Sequence, residues 1–359
     1  MDERTISSLL SEYSLVVGVS GMEPTTISAK LKSDLSPHVQ TEQDLLGNVY
    51  GFKGGTESNP RILVEAHIDE IGMMVTSIDE SGFLRFRQVG RWPTESLVSH
   101  PVVVHGDGGD IPGVLGIAYD PQSPERGTAN PASEGHKPFV DVGAYDRDTA
   151  LEWGIRPGNF ISPWPSCKKT ADGRRIFGKA WDNRAGVALL AALGRTLSTV
   201  DHPNEVLLAG ISQEEVGKRG IKVAMNRLRD IDVALVLEGI LGTDTPGMDP
   251  ERSTDSRLGY GANVMLSDRG HPWLSRFIVD VAHRHGLSCQ PSVGYGGSDA
   301  DEIHVREGGI PTIVIGVPCR YIHNHVGLID TQDFAITLEL LKEIIVEMDS
   351  ATLARISSQ

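Results

Sequence analysis

From Gly178 onward, short apolar runs alternate with helical segments, and this alternation confines the chain to an α/β architecture. Residues 184–197 are rich in Ala and Leu at helical spacing, and 205–212 read as a strand. Residues 218–228 continue as a helix, 232–237 as a strand and 273–285 as a helix. The strand 312–317 and the long amphipathic helix 331–348 close the series. No single strand or helix buries its own apolar face, so alternation implies helices packed on the faces of a shared sheet. The same domain has an earlier piece. Residues 6–13 and 26–35 have helical spacing, and Arg61–His67 is the Ile-, Leu- and Val-rich run of a buried strand.

Between these pieces the texture changes. From about Gly72 to Pro163, short β-like runs such as 101–105 and 113–118 stand between Gly, Pro and Asp clusters. This is the pattern of a small all-β module. Within it, 120–138 is polar and rich in Pro, Gly and Ser, and reads as a long mobile loop. The β-rich stretch therefore interrupts an α/β domain that begins before it.

Composition narrows the function. The 359 residues are enough for two domains. Lys plus Arg is 33 and Asp plus Glu is 48, a net charge of -15. Phosphate backbones and anionic membrane surfaces demand basic surfaces, so neither partner is expected. The N-terminus lacks a basic region followed by an apolar core, and no apolar run approaches a membrane span. A cytoplasmic protein is the expectation. The 3 cysteines, Cys167, Cys289 and Cys319, form no Cys-x-x-Cys pair, so any metal must be held by His and carboxylates. No Gly-x-Ser-x-Gly elbow and no phosphate-binding loop are present.

The candidate ligands recur at one kind of place. His67 and Asp69 end the first strand as His-Ile-Asp, two residues apart and so on one side of the strand. An Asp there can orient the imidazole and raise its basicity. Asp182 precedes a helix, where it also suits an N-cap. Glu214 and Glu215 follow a buried strand, Glu238 ends the next one, and His323 follows the last, with His325 as a nearby alternative. Each alone has an ordinary structural reading. Together they converge, because strand ends and strand-to-helix turns form the ligand crevice of open α/β sheets. Two imidazoles and four carboxyls suffice for two divalent ions, with one carboxylate bridging and one Glu spare for proton transfer. The nitrogen and oxygen set suits Zn, Co or Mn, and such a pair is machinery for hydrolysing an amide.

Five motifs carry a resemblance over nearly the whole chain. They are Glu65-Ala-His-Ile-Asp-Glu-Ile-Gly72, Lys179-Ala-Trp-Asp-Asn-Arg184, Gln213-Glu-Glu-Val-Gly217, Gly297-Ser-Asp-Ala300 and Arg320-Tyr-Ile-His323. In this order the chain resembles the tetrahedral aminopeptidases, the glutamyl aminopeptidase and endoglucanase-M family of the dinuclear metallopeptidases. The resemblance implies a metal-dependent aminopeptidase acting on short peptides. It implies that His67 and Glu238 bind one metal, that Glu215 and His323 bind the other, and that Asp182 bridges both. Glu214 is then the general base and acid, Asp69 orients His67, and Gly297 and Ser298 hold the substrate backbone.

The implied fold is a mixed-sheet, phosphorylase/hydrolase-like catalytic domain formed by 1–71 and 164–359. The stretch 72–163 becomes an inserted PDZ-like dimerisation domain, with dimers assembling into a hollow dodecamer. Glu238 stands where the family often has Asp, and Ser298 where Thr is common. A carboxypeptidase or amidohydrolase on a related fold, or a scaffold without activity, are the competing readings. Lys218, Arg219 or Arg257 would give a preference for acidic N-terminal residues if any of them faced the substrate.

Overall fold

The computed structural model describes residues 1–57, 59–93, 96–97, 99–117, 138–248, 255–294 and 297–357. Apart from Pro138, the expected loop at 120–138 lies outside the described residues. In chain order, α1 (Glu3–Leu15) and α2 (Ile27–Leu35) precede β1 (Gln40–Gln43), β2 (Val49–Lys53) and β3 (Arg61–His67). Then come β4 (Gly72–Ile78), β5 (Leu84–Val89), β6 (Pro101–Gly106), β7 (Gly109–Gly116), β8 (Phe139–Asp141), α3 (Arg147–Glu152) and β9 (Phe160–Pro163). The chain continues through β10 (Lys168–Lys169), β11 (Arg175–Gly178), α4 (Trp181–Leu197), β12 (Glu205–Ile211), α5 (Arg219–Arg227) and β13 (Val233–Leu241). It ends with β14 (Ala262–Leu266), α6 (Pro272–Arg284), β15 (Cys289–Val293), α7 (Ala300–Ile303), β16 (Thr312–Arg320), β17 (Gly327–Asp330), α8 (Thr331–Glu347) and α9 (Ser350–Ser357).

An 11-stranded mixed sheet runs in the order β1-β2-β12-β3-β13-β16-β17-β11-β10, with β14 on β16 and β15 on β14. Its centre, β12-β3-β13-β16, is parallel. These four strands are buried along almost their whole length. Strands covered on both faces must be apolar throughout, which is why they were legible as continuous runs. The outer strands β1 and β15 are polar or contain Pro, as edge strands tolerate, and leave no such signal.

Helices α1, α2, α4, α6 and α8 contribute to the core on one face, and α5 and α7 to that on the other. The helix α4 is buried on nearly every side, because it lies between the sheet and helices α1 and α8. Each buried Leu or Val of this layer contributes roughly 1.5–3 kcal/mol of transfer free energy.

Strands β4-β5-β8-β7-β6-β9 close into a barrel with its own apolar core of Met73, Val75, Leu84, Val102, Leu115 and Ile161 among others. This barrel interrupts the α/β sheet just after β3, which ends on His67. Among the described residues, no helix is long and apolar enough to cross a membrane.

Candidate metal centre

The parallel register gathers the candidate ligands. His67 is paired with Ile211, the last residue of β12, and Ala66 with Leu237 of β13. One step further along each strand stand Ser212 and Glu238, so Glu214, Glu215 and Glu238 flank His67 at one edge of the sheet. The segment after β16 delivers His323, and the β11–α4 turn delivers Asp182. Gly239 permits that last approach: a Cβ there would lie 2.8 Å from the Trp181 carbonyl oxygen and 3.1 Å from the Asp182 Cα.

Asp182 is not the helix cap. Asn183 takes that role, its Oδ1 accepting from the Gly186 N–H at 3.0 Å. Both Asp182 oxygens are thereby free for the imidazoles. Its Oδ1 is 3.0 Å from His67 Nε2, and its Oδ2 is 3.3 Å from His323 Nε2. His67 Nε2 is also 3.5 Å from Glu238 Oε2, and His323 Nε2 is 3.1 Å from Glu215 Oε1. One donor atom each from His67, Asp182 and Glu215 lies within 4.8 Å of the others.

These spacings fit cations. A tetrahedron with metal–ligand bonds of about 2.0–2.1 Å has edges of roughly 3.3 Å. The observed separations of 3.0–3.5 Å cluster around that length in two groups that share Asp182. Glu215 Oε1 is buried and no hydrogen-bond donor is aligned with it. Carboxyls also outnumber imidazoles in the same space, and buried negative charge needs a cationic partner.

Each group's proton affinity reflects this crowding. Burial disfavours charged His67, yet Glu238, Asp182 and Asp69 outweigh it and hold its pKa well above the usual value. His323 is pushed up to about 10 against the effect of its burial, by Asp182 and Glu215. Burial likewise opposes ionised Asp182, but the two imidazoles win and keep it low. Glu238 is raised to about 7 by burial, with Asp182 and Glu215 adding to the shift. Burial also lifts Glu214 to about 9, helped by Glu238, Asp299 and Glu215 and opposed by His67.

Asp69 does more than face His67. Its Oδ1 lies 3.3 Å from His67 Nδ1. The same carboxylate accepts the backbone N–H groups of Glu214 at 2.9 Å and Glu215 at 3.1 Å, and the Ser20 hydroxyl at 2.6 Å. It therefore positions the imidazole and the acidic pair together. His325 turns elsewhere: its ring stacks on His100 at 4.2 Å and meets Trp92 of the inserted segment at 4.7 Å. Gly297 and Ser298 line the same cavity as the ligands.

Three sets of residues had no role in the sequence reading. Glu65, two residues before His67, is fully buried with Asp299, and burial raises both carboxyls. A charged residue inside an apolar strand was the available signal. Glu23 is buried and accepts the Gly21 and Gln213 N–H groups at 2.6 and 3.1 Å, which ties the N-terminal segment to the acidic pair. Glu70 binds Lys179 Nζ at 2.6 and 2.7 Å, Arg184 Nη2 at 3.1 Å and the Gly18 N–H at 2.8 Å. This network locks the segment after β3 to the turn that carries Asp182. Lys179→Met leaves Glu70 with one cation instead of two, and breaking a buried pair costs about 3–5 kcal/mol. Urea unfolding should show a loss near the lower end of that range, since Arg184 remains.

Backbone strain gathers here as well. Among the described residues, eight non-glycine residues have positive φ, and Ala180, Gln213, Lys218, Tyr321 and His323 are five of them. All five lie within three residues of a candidate ligand. Left-handed backbone at such residues is costly, and a cluster of it marks a functional site.

Comparison with known proteins places the chain in a family. Residues 47–340 match the family model of the M42 glutamyl aminopeptidases. The chain is 33% identical to the glutamyl aminopeptidase of Lactococcus lactis, covering 89% of this chain and 90% of the relative. It is 29% identical to the lysyl aminopeptidase of Pyrococcus furiosus over 92% and 94% of the two chains. Among solved structures, the TET aminopeptidase of a marine-sediment thaumarchaeote superposes with a TM-score of 0.90 at 30% identity, covering 99% of this chain and 100% of that one.

Proposed function

Because the chain belongs to the M42 glutamyl aminopeptidase family and is an aminopeptidase, a hydrolase of peptide bonds, we propose a division of labour among the residues of its candidate metal centre. Two divalent cations, Zn, Co or Mn, would be held by His67 and Glu238 on one side and by Glu215 and His323 on the other. Asp182 would serve both. The observation that carries this reading is the pair of Asp182 oxygens, each within 3.3 Å of a different imidazole. When bound, the cations supply Lewis acidity, polarising the scissile carbonyl and acidifying water.

The protein's own groups do the rest. Glu214 takes the proton of the attacking water and passes it to the leaving amine. Burial and three neighbouring carboxylates raise its proton affinity, which suits a group that must hold a proton between two steps. Asp69 keeps His67 and the 214–215 backbone in place. Asp69→Asn preserves shape but removes charge, and cation affinity should fall about 10–100-fold, the usual cost of losing such support. Competition with a calibrated chelator measures it. Gly297 and Ser298 line the cavity where the peptide backbone would lie.

The substrates are short peptides with a free N-terminus. The test compares a peptide bearing a free amine with its N-acetylated and C-amidated forms. Hydrolysis of the free and amidated forms alone, abolished by chelation and restored by Zn, Co or Mn, is expected. Cleavage of the acetylated peptide at the same rate would favour the carboxypeptidase or amidohydrolase alternative.

The domain boundaries enter the same reading: 1–71 and 164–359 form the catalytic domain, and 72–163 a PDZ-like dimerisation domain. The separate apolar core of the barrel supports it. A related peptidase of Pyrococcus horikoshii is described as assembling into a tetrahedron or a large octahedral shell. Assembly of this chain into a dodecamer built from dimers is the corresponding expectation, with a cytoplasmic location.

A further inference from the structure

The cavity around the metal centre extends to about 600 Å³, well beyond the ligands themselves. Ile240, Leu241, Met248, Met265 and Val293 line it. The wall begins at the centre, since Ile240 and Leu241 continue β13 directly from Glu238. Met265 of β14 pairs with Ser292 of β15, which brings Val293 alongside. Leu241, Met248 and Val293 remain 42%, 37% and 47% exposed, although they line a cavity. Apolar surface left open inside a pocket is a surface for an apolar group.

Among the described residues, Lys218, Arg257 and Asp244 near this wall are already engaged. Lys218 lines the cavity but is paired with Asp301. Arg257 is bound to Asp255 at 3.1 Å and lies over the Tyr260 ring. Asp244 accepts from Arg320 at 2.8 Å. Ser292 donates to Asn263 at 2.8 Å, and Thr243 Oγ1 accepts the Ser256 N–H at 3.0 Å. Arg91, which precedes Trp92 of the inserted segment, lines the same cavity but is not one of the five apolar residues of the wall. A charged side chain laid against Ile240, Leu241, Met248, Met265 and Val293 would lose hydration without gaining a polar partner from them, which is a large penalty.

We propose that this wall receives the side chain of the peptide's N-terminal residue, and that the chain selects neutral apolar residues of the leucine and methionine class over acidic and basic ones. The proposal rests on the aminopeptidase reading above. It separates this chain from the relatives named for glutamate and lysine, and it assigns no acidic preference to Lys218, which is engaged with Asp301, or to Arg219 and Arg257, which are not among the residues lining the cavity.

The experiment separates specificity from turnover. Zinc-loaded Glu214→Gln protein is titrated by calorimetry with the amides of leucine, methionine, glutamate and lysine. Leucine and methionine amides should bind at least tenfold more tightly than the other two. Val293→Lys, on an exposed position of the wall, and Met265→Lys should each shift the ratio towards glutamate amide by about tenfold. Tightest binding of glutamate or lysine amide to the Glu214→Gln protein, or no binding of any amide, overturns the proposal. The unsubstituted enzyme is then tried on the matching aminoacyl chromogenic substrates. The expected binding order without hydrolysis of any substrate would sink the aminopeptidase mechanism and leave the specificity assignment standing.

Discussion

Glu214→Gln lowers turnover by about 10²–10⁴-fold, the usual weight of general acid–base catalysis, while cation content stays close to that of the unsubstituted protein. The reason is the split between the two adjacent glutamates. Glu215 Oε1 lies 3.1 Å from His323 Nε2, inside the donor cluster. Glu214 lines the same cavity, whereas the two imidazoles contact Asp69, Asp182, Glu215 and Glu238. Gln keeps the size and the hydrogen-bonding reach of Glu214 but cannot carry the proton. The backbone N–H of residue 214 still binds Asp69, so the loop should hold its shape. Steady-state kinetics and elemental analysis on the same sample decide the matter. Wild-type turnover would remove Glu214 from the mechanism, and loss of cations would move it into the ligand set.

Asp182→Ala has the opposite signature: cation content falls for both positions at once, and turnover falls at least as far as in Glu214→Gln. Among the described residues, Asp182 is the one carboxylate in contact with both imidazoles, at 3.0 and 3.3 Å. Its removal leaves His67 with Glu238 and His323 with Glu215, two donors per cation instead of three. Asn183 continues to cap α4, so circular dichroism and the unfolding midpoint should change little compared with the change in metal content. Loss of one equivalent alone would show that Asp182 serves a single cation.

The sequence made the centre of the fold readable because burial on both faces demands apolar residues without interruption. Residues 61–67, 205–211 and 233–237 could be placed on that ground, and so could the helices between them. The strands β1, β2, β14, β15 and β17 escaped notice, since edge strands and short returns obey weaker rules. The candidate ligand set was legible for a related reason. A His or carboxylate at the end of an apolar run has few structural excuses, and several at successive strand ends point to one crevice. Glu65, Glu23 and the Glu70–Lys179–Arg184 network were not legible in the same way. Their meaning lies in partners 100 or more residues away for the network, and sequence spacing carries no information about such pairs.

What the sequence determined by itself was an α/β domain interrupted by a β-rich module, with His67, Asp182, Glu214, Glu215, Glu238 and His323 as the candidate groups for chemistry. That much follows from periodicity and from the residue types that chemistry requires. The tertiary structure alone decided which oxygen faces which imidazole, that Asn183 frees Asp182 from capping, and that His325 stacks away from the centre. It also decided that Lys218 is occupied by Asp301 while Leu241, Met248 and Val293 stand open in the cavity. Roles of that kind depend on distances of 3–4 Å between segments far apart in the chain, and only packing sets those distances.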